Sequence, residues 1–172
     1  MRREGDITEV TRLPICSLSA EAFAPYGEVL DASGAPSGFA NGGAIEVHRD
    51  ISAIDIAPEG RVCVSVVRAK GATLPLRLEV MERHPLGSQA IAPLGDGHML
   101  VVVAPHGPLD PARIIAFRAS PGQGVNYRRG VWHHPLIALD RTSDFLVIDR
   151  TGEGENLIVE RLAQPLEVLR LD

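Results

Sequence analysis

The residues best suited to chemistry lie on a run that alternates as a strand does. Side chains two apart on an extended segment share a face. Leu78, Val80, Glu82 and His84 therefore share one side, and Arg77, Glu79, Met81 and Arg83 the other. With the apolar side turned inward, Glu82 and His84 turn inward too. A carboxylate and an imidazole are costly to desolvate without partners or water, so the pair predicts a lined cavity. An imidazole titrates at about 6.5, close to neutrality, and a buried carboxyl rises toward that range. Together they suit proton transfer. The run 61–68 repeats the theme, with Val62, Val64, Val66 and Arg68 on one side and Cys63, Ser65 and Val67 on the other. If the first set faces inward, Arg68 brings a guanidinium suited to a carboxylate. His133 and His134 are adjacent, so an extended segment turns only one of them inward. Trp132 reads as packing, while His48, His98 and His106 carry no pattern and read as surface residues. Asp149 and Arg150 read as an ion pair at the barrel mouth, and Arg128 and Arg129 as a solvated turn.

Short strands must position these groups. Runs at 44–48, 61–68, 73–84, 88–93, 98–104, 125–128, 133–139, 143–149 and 156–160 are strand-like and separated by turn residues. Ser19 reads as the N-cap of a short helix that ends near Pro25 and Gly27. Asp110-Pro111-Ala112-Arg113 can open another, since Pro is tolerated in a first turn. Residues 31–43, rich in Gly, Ser, Ala and Pro, read as loop. A chain of 172 residues with 17 Gly and 13 Pro spread along it fits one β-rich domain. Residues 1–11 are expected to be a polar tail and 12–172 the domain.

The net charge of −5 argues against nucleic acid or an anionic membrane as the main partner. Cys16 and Cys63 form no C-x-x-C pair, so neither a redox motif nor a thiolate metal site is indicated. No apolar signal core follows Met1, and the longest apolar run, Met99 to Ala104, is too short for a transmembrane helix. A cytoplasmic protein with reduced thiols is the expectation.

Three blocks carry a resemblance. Glu82-Arg83-His84-Pro85-Leu86-Gly87-Ser88-Gln89, Gln123-Gly124-Val125-Asn126-Tyr127 and Val131-Trp132-His133-His134-Pro135-Leu136 are similar to the signature segments of the ureidoglycolate lyase family. The run Asp144 to Arg150 resembles the last core strand of that family. The family belongs to the cupin superfamily, so the resemblance implies an all-β, cupin-like double-stranded β-barrel (a jelly roll) with one or two short helices, and a homodimer. Many cupins bind a metal through a His-x-His-x4-Glu motif and a later His. Here the first motif is Glu82-x-His84-x4-Gln89. In the second, Gly122, Gly130 and His133 keep the spacing, while Arg128 replaces Pro and Ile137 replaces Asn. That spacing selects His133 over His134. Glu82, His84, Gln89 and His133 are then the available ligands for a divalent ion, nickel by the resemblance.

The implied activity is cleavage of (S)-ureidoglycolate to glyoxylate and urea, within allantoin and purine nitrogen breakdown. The substrate carbon carries a carboxylate, a hydroxyl and a urea nitrogen. A base must take the hydroxyl proton and an acid must protonate the departing nitrogen, with no redox cofactor or covalent nucleophile. Each positioned group contributes about 10²–10⁴-fold. His133 or His84 is expected as base and Glu82 as acid. Arg68 is expected on the carboxylate, and Gln89, Asn126 and Tyr127 on the urea end. Two other readings remain open at this point: a metal-dependent cupin oxygenase or isomerase acting on a small carboxylic acid, and a non-catalytic ligand-binding module.

Overall fold

Apolar runs broken by turn residues fold into strands throughout the computed structural model, which describes residues 11–169. In chain order these are β1 (Thr11–Leu13), β2 (Ile15–Ser17), β3 (Gly27–Leu30), β4 (Gly38–Ala40), β5 (Ile45–Val47), β6 (Gly60–Ala69), β7 (Gly71–Ala72) and β8 (Leu76–Arg83). They continue as β9 (Gln89–Pro93), β10 (His98–Ala104), β11 (Ile115–Arg118), β12 (Gly124–Tyr127), β13 (Trp132–His133), β14 (Ile137–Leu139), β15 (Ser143–Gly152) and β16 (Ile158–Val168). The helix α1 (Ala20–Phe23) starts where expected, with the Ala22 amide donating to the Ser19 hydroxyl at 3.2 Å. Asp110 caps a 3-10 turn at Pro111–Arg113 in the same way. The expected polar tail at 1–11 lies outside the described residues except for Thr11, which opens β1.

Two large sheets stack. One runs β1-β16-β8-β13-β10-β11-β2, with β14 beside β10 and β7 beside β14; the other runs β3-β12-β9-β15-β6. Neither closes on itself, so the expected all-β, cupin-like double sheet is present as two open layers. The segment expected to be loop at 31–43 contains β4, which pairs with β5 in a separate two-stranded sheet.

Strand β10 is apolar on both faces because both are covered. Met99, Val101 and Val103 join Phe117 of their own sheet with Ile91, Val125, Phe145 and Val147 of the other, forming the core between the layers. Leu100, Val102 and Ala104 join Met81, Trp132 and Ile137 in a second cluster on the opposite face. That second cluster explains why Met81, on the nominally outer side of β8, is fully buried. Leu78 packs in the same cluster, and the register between β8 and β16 shifts nearby, between Arg161 and Leu166.

The inward face expected of β6 is reversed. Val62, Val64 and Val66 are 45, 63 and 65% exposed, whereas Val67 packs against the core. Both faces of this strand are apolar enough that periodicity alone does not separate them.

Gly27 pairs with Tyr127 where β3 meets β12. A methyl group there would lie 1.8 Å from the Asn126 carbonyl oxygen and 3.1 Å from the Phe23 ring. Gly27→Ala is expected to lower stability by about 1–3 kcal/mol, the usual range for overpacking, measured by urea denaturation. An unchanged midpoint would show that β3 is free to shift.

Candidate active site

Tight pairing of β13 with β8 sets His133 directly opposite Glu82, and their side chains reach the same end of the space between the sheets. The His133 Nε2 is 3.6 Å from Glu82 Oε1. The His84 and His133 rings lie 5.1 Å apart, centre to centre. One donor atom each from Glu82, His84 and His133 falls within 4.8 Å of the others. The structure thus brings together the three residues expected to carry the chemistry.

Both imidazoles are held in one tautomer. The His84 Nδ1 lies 2.7 Å from the Asn156 carbonyl oxygen, and the His133 Nδ1 3.1 Å from that of Val131. A carbonyl only accepts, so each Nδ1 carries the proton and each neutral ring leaves Nε2 as a lone pair. Neither Nε2 has a hydrogen-bond partner, although both are buried. Asn156 was not anticipated from sequence. It holds His84 through its carbonyl and accepts from the Leu86 amide at 2.8 Å through its side chain, and no local pattern ties position 156 to position 84.

Burial governs the electrostatics. It drives the His133 imidazole down to about 3, with His84 acting in the same direction and the Val131 carbonyl opposing. At neutral pH His133 is uncharged, so its contact with Glu82 is not an ion pair. Burial also pushes the Glu82 carboxyl upward, against a smaller opposite pull from His84. Tyr127 stacks on His133 with ring centres 4.2 Å apart and planes 7° from parallel. Burial, then the nearby Glu82, raises its hydroxyl above the ordinary tyrosine value and keeps it a proton donor.

The remaining expected site residues divide. Tyr127 and Gln89 are register partners on β12 and β9 and face inward with Val125 and Ile91. Asn126 points the other way. It is buried, but its Nδ2 donates to Ser52 Oγ at 2.7 Å and the Ala53 carbonyl at 2.9 Å, holding the loop behind the smaller sheet. Alternation along β12 requires this once Tyr127 faces in, so Asn126 does not reach the cluster. Arg68 also lies elsewhere. It is exposed on the outer face of β6 and makes a two-pronged pair with Asp144, at 2.6 and 2.8 Å. Its guanidinium already has a carboxylate. The expected inward arginine is therefore corrected to a surface ion pair.

Other expectations resolve similarly. Trp132 is core, its indole N–H donating to the Gly107 carbonyl at 2.8 Å and its ring covered by Arg83. His134 turns away from His133, with Nδ1 2.8 Å from the Pro135 carbonyl. Asp149 and Arg150 do not pair: Arg150 is buried and donates to the Glu153 carbonyl at 2.6 Å. Arg128 and Arg129 lead into the turn after β12, as expected, and pair there with Glu28 and Asp55.

Two imidazole nitrogens and a carboxylate oxygen are a donor set that suits a divalent ion with open coordination positions. The unpartnered Nε2 atoms are what such an ion requires.

A family model described as ureidoglycolate lyase matches residues 10–169. Curated relatives carrying that name are similar along most of their length. One from Burkholderia mallei (strain NCTC 10229) is 49% identical over 155 residues, covering 90% of this chain and 91% of the relative. Another from Brucella anthropi is 46% identical over 149 residues, covering 86% and 88%. A third from Brucella ovis is 43% identical over 150 residues, covering 87% and 89%.

The depressed His133 makes stability pH-dependent with a defined sign. Unfolded imidazole binds a proton below about 6.5, whereas folded His133 resists protonation down to about 3. The unfolded state therefore takes up more protons across that window, and stability falls as pH drops through it. Between pH 7 and pH 5, with chelator present, wild type should lose on the order of 1–2 kcal/mol more than His133→Asn. Parallel losses in denaturant titrations would contradict the buried neutral imidazole.

Proposed function

Because the chain belongs to the ureidoglycolate lyase family, we propose that it cleaves ureidoglycolate to glyoxylate and urea by proton transfer within the Glu82, His84 and His133 cluster. The observation that carries this reading is the pairing of an unprotonated, unpartnered Nε2 on His133 with a carboxyl raised by burial 3.6 Å away. His133 Nε2 takes the hydroxyl proton as the carbonyl forms. The C–N bond breaks, and protonated Glu82 supplies the proton to the departing urea nitrogen. The short separation then lets the proton on His133 return to Glu82, restoring both groups. Tyr127 fixes the plane of the His133 ring by stacking, and the Val131 and Asn156 carbonyls keep both lone pairs aimed inward.

Glu82, His84 and His133 would hold a divalent ion, with Gln89 on the facing strand as a fourth neighbour. Such an ion would supply a Lewis acid for the substrate oxygens. Using the Nε2 atoms as ligands and using one as base are mutually exclusive, and chelation separates the two. Full activity in chelator supports His133 as base, while loss restored by nickel(II) assigns both imidazoles to the ion.

The resemblance further supports a cytoplasmic homodimer serving allantoin breakdown, with no nucleic acid or membrane partner. None of the described helices is long and apolar enough to cross a membrane. The exposed valines on the outer face of β6 are a surface of the kind that dimers cover. Sedimentation velocity is expected to give a dimer, and Val64→Asp with Val66→Asp a monomer. A wild-type monomer would remove that part of the reading.

Product analysis tests the activity. Purified protein should release glyoxylate and urea in equal amounts from ureidoglycolate, and ammonia in place of urea would assign a hydrolase instead. His133→Asn and Glu82→Gln are each expected to reduce kcat by about 10²–10⁴-fold, and wild-type kcat in either would remove that residue from the mechanism.

A further inference from the structure

A second carboxylate belongs to this site, and strand register places it there. Asp149 follows Phe145 and Val147 at intervals of two along β15, and both of those are buried in the core between the sheets. Asp149 therefore lies on the inner face, while Arg150 packs on the outer one against Gly60 and Gly87. Ile148 pairs with Ala90, so the next position sets Asp149 beside Gln89; Asp149 itself pairs with Cys63 on β6. Tyr127, Gln89, Asp149 and Cys63 thus form one row across four strands of the smaller sheet. Tyr127 begins the row in direct stacking contact with His133.

Asp149 makes no hydrogen bond or ion pair among the described residues. Its cross-strand neighbours are a thiol and an amide, neither of them a cation. Asp149 is half-buried, and a partly desolvated carboxylate without such partners gains from a ligand that donates hydrogen bonds. The ureido end of the substrate is such a donor. It presents an internal N–H and a terminal NH2, and a carboxylate accepts two parallel N–H groups at once. Sheets stack about 10 Å apart, so a molecule of this size spans from the Glu82–His133 wall to the Gln89–Asp149 wall. With Asn126 turned away, Gln89 and Tyr127 are what remains of the residues expected on the ureido end, and neither is charged.

We propose that Asp149 is a substrate-binding residue that accepts the N–H groups of the ureido end and selects ureido acids over other small acids. This rests on the ureidoglycolate reading above. Calorimetric titration with two unreactive ligands tests it: N-carbamoylglycine, which keeps the ureido end, and N-acetylglycine, which replaces the terminal NH2 with a methyl group. Wild type should prefer the former, and Asp149→Asn should weaken it by about 10- to 100-fold, as for loss of charge-assisted hydrogen bonds, leaving N-acetylglycine little changed. With ureidoglycolate as substrate, the same variant should raise KM more than it lowers kcat. No wild-type preference between the two ligands, equal losses for both in the variant, or an unchanged KM would each overturn the assignment. Asp149→Ser, tested alongside, guards against a folding defect specific to Asn. Selective binding without urea release would instead remove the lyase reading and leave the ureido assignment standing.

Discussion

Two carbonyl oxygens, from Val131 and Asn156, decide what this site can do. Each sits against an imidazole Nδ1 and forces the proton onto that nitrogen, so both Nε2 atoms are left as buried, bare lone pairs near Glu82. Burial then keeps His133 neutral and pushes Glu82 toward its protonated form. A neutral imidazole and a carboxyl whose proton affinity is raised by burial come to stand side by side. The opposed environments of the two groups matter more than either group alone.

The scaffold supports this arrangement through strand faces. Adjacent residues on an extended chain serve opposite sides, and several pairs here divide in that way. Trp132 enters the second core cluster while His133 meets Glu82; Tyr127 stacks on His133 while Asn126 anchors the loop at Ser52 and Ala53. Each inward side chain of these pairs is thus backed by a neighbour that fixes the strand from behind. The site lies on paired strands of two stacked sheets, where the backbone is held by ladders on both sides, so its geometry is set before a substrate arrives.

The fold class, the helix cap at Ser19, and the grouping of Glu82, His84 and His133 were legible in the chain. The spacing of the two histidine blocks is specific, and Glu82 and His84 do share a face, although the alternation on β8 breaks beyond them: Leu78 and Met81, read on opposite sides, join the same core cluster. Arg68 was misplaced because β6 is apolar on both faces: Val62, Val64 and Val66 look as much like core as Val67 does, and only the register with β15 shows which side the other sheet covers. Asn126 was misplaced because alternation in a four-residue strand cannot orient itself without its neighbours. Asn156 was invisible, since its carbonyl acts through backbone geometry that carries no side-chain signature.

Residue types and their periodicity by themselves determined that short strands would form, that a carboxylate and an imidazole would share a face, and which family the chain resembles. Those are local properties, written in intervals of two along the backbone. Tertiary structure decided which faces meet, which nitrogen of each imidazole holds its proton, and that Arg68 stays at the surface against Asp144. Most of those depend on contacts between segments far apart in the chain, as when Asn156 reaches His84 across 72 positions, although the carbonyl that fixes His133 lies only two residues away, at Val131. Hydrogen bonding and desolvation are set by whatever group arrives there, and no local pattern encodes that arrival.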